Sequence, residues 1–121
     1  MSEASQRMIA IVDDDRAVLD SLRMLLEVMG YPAATFESAS EFLRSDMREV
    51  ECLILDHHMP NMTGLELAER LRADGSDMRI LLTTASPSPA ISARAAGFDI
   101  NVLAKPPDDN EILDFICATR P

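Results

Sequence analysis

Short apolar runs alternate with stretches of helical periodicity along this chain. Met8–Val12 (MIAIV) is uniformly apolar and reads as a strand. Beyond an aspartate-rich turn, Val18, Leu19, Leu22, Leu25, Leu26 and Met29 recur at helical spacing, and Gly30 stops that helix. Ala33–Phe36 predicts a second short strand, and Ser38 is placed to cap a short helix through Leu43. Cys52–Leu55 (CLIL) is a fully apolar third strand. After Gly64 a helix carries Leu65, Leu67, Ala68 and Leu71 inward and Glu66, Glu69, Arg70 and Arg72 outward, closed by the turn ADGSD. Ile80–Thr84 is the fourth strand, a helix around Ala90–Ala96 ends at Gly97, and Asn101–Ala104 is the fifth strand. The last helix runs from about Asp108 to Ala118, with Ile112, Leu113, Phe115 and Ile116 inward.

Five strand–helix units with near-continuous apolar strands predict an α/β fold, a parallel sheet covered by helices on both faces. Crossovers in such a sheet are right-handed, and ligands sit beyond the carboxyl ends of the strands. That rule gathers Asp13 and Asp14 (after strand one), Asp56 (end of strand three), Thr84 (end of strand four) and Lys105 (after strand five) on one edge.

Composition narrows the function classes. The 121 residues fit one domain, 1–121, with its core at about 8–118. Eleven basic residues against twenty-one acidic ones leave a net charge of −10, which argues against direct nucleic-acid binding. No tract reaches the roughly eighteen apolar residues of a membrane span, and the start, MSEASQRM, lacks an apolar signal core. Cys52 and Cys117 are read as small buried residues; no CxxC or Cys/His spacing favours zinc, and the cytoplasm is the expected compartment.

Three carboxylates on one edge repel each other unless a cation sits among them. An all-oxygen site suits magnesium, with manganese as the alternative ion. A carboxylate can attack phosphorus to form an aspartyl phosphate, a reaction that needs positioning and charge neutralisation. Lys105 supplies a compact positive charge and Thr84 a hydroxyl. Taken singly, each residue has a plainer reading: helix-start acids for Asp13–Asp15, a turn residue for Asp56, a strand or cap residue for Thr84, a loop lysine for Lys105. Joint placement at successive strand ends outweighs those readings. His57 and His58 are adjacent and cannot easily share a metal; a backbone carbonyl facing the ion is the more modest role for His58.

The motifs IVDDD, LILDHHMPNMTG, LLTTA and LAKP occur in the order and with near the spacing of the receiver domain of bacterial two-component response regulators, which the chain resembles over about Met8–Ala118. The resemblance implies a flavodoxin-like fold, sheet order 2-1-3-4-5. It implies that Asp56 is the phosphoacceptor and that magnesium is held by Asp14, by Asp13 through water, by Asp56 and by the His58 carbonyl. Lys105 would pair with the phosphoryl group, Thr84 would be the switch residue, and the bond before Pro106 would be cis. Implied partners are a sensor histidine kinase or phosphotransfer protein, and an output domain or partner protein on the helix 4, strand 5 and helix 5 face, with dimerisation on phosphorylation as an option. The domain would act as a signalling switch, with only self-directed phosphoryl chemistry.

Several positions depart from the family pattern. Val102 stands where the family places a tyrosine or phenylalanine, so the usual aromatic readout is missing. The interval from Thr84 to Gly97 is short and holds Pro87 and Pro89, which predicts a shortened or irregular fourth helix and a stiffened loop before it. Pro107 replaces the usual aromatic after Lys-Pro, and Thr83 competes with Thr84, which is preferred because the small Ala85 follows it. Two other functions are therefore weighed: a degenerate receiver that binds a partner independently of phosphorylation, and a magnesium-dependent phosphohydrolase with Asp56 as nucleophile. The hydrolase commonly needs a second acid two residues on, where this chain has His58.

Overall fold

A computed structural model describes residues 8–118. The elements are β1 (Met8–Val12), α1 (Arg16–Val28), β2 (Ala33–Phe36), α2 (Ala39–Arg44), β3 (Val50–Asp56), α3 (Gly64–Ala73), β4 (Arg79–Thr84), α4 (Pro89–Gly97), β5 (Asn101–Ala104) and α5 (Asp109–Cys117). All strands pair in parallel in the order β2-β1-β3-β4-β5. This is the flavodoxin-like order, and it puts β1, β3 and β4 at the centre, flanked on both sides.

The pleat divides the apolar residues of those central strands between two cores. Ala10, Val12, Leu53, Leu55, Ile80 and Leu82 point to one face, where Phe42 and the α3 residues Leu65, Leu67, Ala68 and Leu71 cover them. Ile9, Ile11, Cys52, Ile54 and Leu81 point to the other, against Leu19 and Leu26 of α1 and Ile112, Phe115 and Ile116 of α5. A strand buried on both faces cannot alternate apolar with polar residues, which is why β1 and the Cys52–Leu55 part of β3 read as unbroken apolar runs. The outer strands differ: β2 is half-buried throughout, and β5 is exposed at both ends.

Each helix starts on a side chain that accepts an otherwise unpaired backbone N–H. Asp15 caps α1, Ser38 caps α2 and Ser88 caps α4. Thr63 with Glu66, and Asp108 with Glu111, form reciprocal capping boxes at α3 and α5. Helix α4 is short but regular over nine residues. Pro89 does not disturb it because it occupies the first turn, where a missing N–H costs nothing. Cys117 is a correction: it lies exposed in the last turn of α5, its Sγ 3.3 Å from the Tyr31 hydroxyl. The apolar stripe of α5 ends one residue earlier, at Ile116.

At the sheet end opposite the carboxylates, Arg72 ties several loops together. Its guanidinium donates to the carbonyls of Phe98 (2.8 Å), Ser76 (3.1 Å), Met78 (2.6 Å) and Asp99 (3.0 Å), joining the end of α3 to the β4 entry and the α4–β5 turn. A planar fork suits several carbonyls at once in a way an ammonium does not. Arg72→Ala is expected to lower unfolding stability by about 2 kcal/mol and Arg72→Lys to recover less than half of that, read as a shift in urea midpoint at constant slope.

Candidate functional site

The carboxyl ends of β1, β3, β4 and β5 open on one edge, and the sequence-predicted residues stand there. Asp13 follows directly on β1 and is 2% exposed; Asp56 is the last residue of β3 and is 4% exposed. Both are placed by backbone pairing. The Asp13 amide donates to Phe36 O (3.1 Å), and Asp56 lies in register with Thr83 of β4. Asp14 is exposed beside them, and one carboxylate oxygen from each of Asp13, Asp14 and Asp56 falls within 4.8 Å of the others. Asp15 leaves the group: its side chain caps α1, and its amide donates to Asp13 Oδ1 (2.9 Å), fixing that carboxylate.

Lys105 reaches this cluster from the outer strand. Its amide extends the β4–β5 ladder by bonding Thr84 O (2.8 Å), and its peptide bond to Pro106 is cis. The long side chain crosses β4 and sets its ammonium 2.8 Å from Asp13 Oδ2 and 3.2 Å from Asp56 Oδ1. Sequence reasoning placed lysine and aspartate on one edge but did not foresee that Asp13 would be the closer partner.

The electrostatics follow from burial and crowding. Loss of water raises the Asp56 pKa, the Asp13 charge raises it further, and the bond to Lys105 only partly offsets them. For Lys105 burial pulls downward, yet its bonds to Asp13 and then Asp56 leave it raised and charged. One ammonium faces three carboxylates, so ionisation of all three leaves an excess negative charge that a divalent cation would match. The donors are hard oxygens clustered tightly enough to meet at one ion, and they fit magnesium.

The loop after β3 holds Asp56 in place. The His57 amide donates to Thr83 O (2.9 Å), and the Gly64 amide returns to His57 O (2.9 Å). Met59 is buried in the core and Met62 packs against it, so the loop is anchored from below. Asn61 takes a left-handed φ of 74° at the tip, a conformation asparagine tolerates. The loop closes onto the strand so tightly that a Cβ on Gly64 would lie 2.3 Å from the Asp56 carbonyl oxygen and 2.8 Å from Leu82 Cδ1.

The two threonines of β4 point to different partners. Thr83 Oγ1 lies 3.5 Å from Leu55 O, at the limit of a hydrogen bond, and stays against the sheet. Thr84 is fully buried; its Oγ1 accepts from the Ser86 amide (3.1 Å) and lies 3.1 Å from His58 Nε2. This histidine contact was missed from the sequence, since nothing in a His-His pair signals a partner twenty-six residues away. Val102 is half-buried and packs against the core on the α2–α4 face.

The family model of the response regulator receiver domain matches residues 9–116. Among curated relatives, response regulator MprA of Mycobacterium leprae is 42% identical over 92 residues, covering 75% of this chain. The chain spans about 40% of the length of that relative. A CheY-like receiver domain protein of Methanospirillum hungatei superposes with a TM-score of 0.85 at 30% identity, covering 93% of this chain and 91% of the other. A response regulator of Burkholderia pseudomallei, with a phosphorylated aspartic acid and a calcium ion, superposes with a TM-score of 0.76 at 26% identity, over 93% of this chain and 67% of the other. Among the described residues no helix is long and apolar enough to cross a membrane.

The Gly64 contact gives a direct check. Gly64→Ala must push the loop off the end of β3 and is expected to cost about 2 kcal/mol or more of stability, whereas Gly97→Ala, where a Cβ meets nothing within 4 Å, should not destabilise. Urea unfolding of the two variants beside the parent protein measures the difference.

Proposed function

The chain belongs to the response regulator receiver domain family, and from that premise we propose that it is a phosphorylation switch in two-component signalling, with Asp56 as phosphoacceptor. One observation carries the reading. A buried aspartate ends the central strand β3, and Lys105, Asp13 and Asp14 crowd its carboxylate on the edge where this fold class binds ligands. The phosphorylated aspartic acid in the related Burkholderia regulator supports it.

In the proposed reaction an Asp56 oxygen bonds to phosphorus while the bond from phosphorus to the donor's imidazole nitrogen breaks; the electron pair leaves with the kinase. Asp13, Asp14, Asp56 and the His58 backbone carbonyl would hold the cation. Magnesium, when bound, supplies positive charge against the phosphoryl oxygens. Lys105 is already charged and between two carboxylates, so a phosphoryl oxygen on Asp56 offers its ammonium a stronger partner. The Thr84 hydroxyl then moves onto a second phosphoryl oxygen and draws the β4–α4 loop with it, which changes the face made by α4, β5 and α5.

A histidine kinase or phosphotransfer protein is the proposed donor, and an output domain or partner protein the proposed reader of that face. Val102 favours a second reading, a receiver that binds its partner without phosphorylation, because a half-buried valine cannot swing between exposed and buried states as an aromatic ring does.

Incubation with acetyl phosphate and magnesium, followed by intact-mass measurement, separates the readings. A single phosphoryl adduct is expected on the parent protein and none on Asp56→Asn; no adduct on either would support the second reading. Magnesium should also raise the melting temperature of the parent protein, since ion binding to the folded state relieves carboxylate repulsion. A melting temperature unchanged across a magnesium titration would count against the metal site.

A further inference from the structure

We infer that the His58 side chain is a latch on the switch: its imidazole holds the Thr84 hydroxyl in the resting position and so sets how readily the domain passes to the phosphorylated form. The inference rests on the reading of Asp56 and Thr84 given above. It concerns the side chain of His58, apart from the backbone carbonyl proposed to face the cation.

The argument starts from what one hydroxyl can do. A threonine hydroxyl has a single proton to donate and two lone pairs to accept with. The Ser86 amide takes one lone pair of Thr84 Oγ1 at 3.1 Å, and His58 Nε2 sits at 3.1 Å from the same oxygen. If Nε2 accepts, it takes the only proton that Thr84 could give to a phosphoryl oxygen. If Nε2 donates, it fills the second lone pair and anchors the oxygen where it is. In the first case the threonine reaches a phosphoryl oxygen only by breaking this bond; in the second its proton stays free, and the bond opposes the movement of the oxygen. Thr84 is fully buried whereas His58 is exposed, so on parting the imidazole regains water but the hydroxyl has little at hand.

The ring of His58 is exposed to solvent but has a neighbour on the loop. It meets the His57 ring edge-to-face, with centroids 5.0 Å apart and planes at 71°. His57 is half-buried, and its Nδ1 lies 3.4 Å from the Leu65 amide in the first turn of α3. The Thr63–Glu66 capping box fixes that turn. Moving Thr84 therefore leaves the imidazole behind, and the broken bond becomes part of the free-energy difference between the two states. His58 is a positioning residue: it acts on the phosphoryl group only through Thr84.

Beryllium fluoride with magnesium serves as the phosphoryl mimic, its Kd for the intact chain measured by calorimetry. His58→Phe keeps a ring and removes the bond, and is expected to bind about twofold to tenfold more tightly, the worth of one such hydrogen bond. His58→Gln places an amide near the position of Nε2 and should return the Kd toward the parent value. In a Thr84→Ala background His58→Phe should change nothing, an outcome that a merely structural role for His58 does not produce. Equal Kd for the parent and His58→Phe, or the same gain with and without the Thr84 hydroxyl, overturns the latch while leaving the phosphoacceptor reading intact. A parent protein that takes up neither beryllium fluoride nor a phosphoryl group overturns that reading, and the latch with it.

Discussion

Everything at the carboxyl edge of this sheet is governed by a charge imbalance: three clustered carboxylates against one ammonium, with two of the acids almost removed from water. Such a group could relieve itself by protonation, by drifting apart, or by collecting positive charge. The fold blocks the second route. Asp13 and Asp56 are welded to the ends of β1 and β3, which pair with one another and are covered on both faces. What remains is protonation, toward which the raised pKa of Asp56 leans, and positive charge, part of it delivered by Lys105 across the neighbouring strand. Burial first, and the Asp13 charge after it, keep the Asp56 pKa raised despite the bond to Lys105. The site is thus held in a state that favours additional cationic charge, and this property couples the scaffold to the chemistry proposed for it.

Much of this could be read in the sequence, for reasons tied to particular residues. The central segments Met8–Val12, Cys52–Leu55 and Ile80–Leu82 are apolar because both of their faces are buried, so no periodicity had to be inferred. Ser38 marks a helix start by chemistry that acts within a few residues. Once the strand order is known, the convergence of Asp13, Asp14, Asp56, Thr84 and Lys105 follows from topology alone. What was not legible depends on rotamers and on distant partners. The order in which Lys105 meets its two carboxylates, the Arg72 fork onto four carbonyls and the His58–Thr84 contact each join residues brought together only by packing. Cys117 was misjudged for a related reason: a helical apolar stripe does not announce which turn is the last one covered.

The departures from the family pattern gather around α4 and β5. Pro89 at the first turn lets a short helix start cleanly, and Arg94 joins α4 to α3 through Glu69 by paired bonds of 2.9 Å. With Val102 half-buried against the core, β5 carries no ring at that position. In the proposed switch, movement on this face would come from backbone and loop, through the same β4–α4 segment that holds Thr84, rather than from a side chain turning over at position 102.

The placement of β5 has a further consequence, in how local stability is distributed. β5 is a four-residue outer strand paired on one side only and exposed at both ends, whereas β3 is flanked by β1 and β4. Amide hydrogen exchange in such a sheet is graded: β3 opens only with the whole domain, and β5 opens in smaller, cheaper fluctuations. Asp56 is therefore expected in the slowest-exchanging strand, and Lys105 directly after a more labile one. The carboxylate proposed as acceptor then stays put and the cation beside it is free to yield, a division of rigidity that follows from strand order alone.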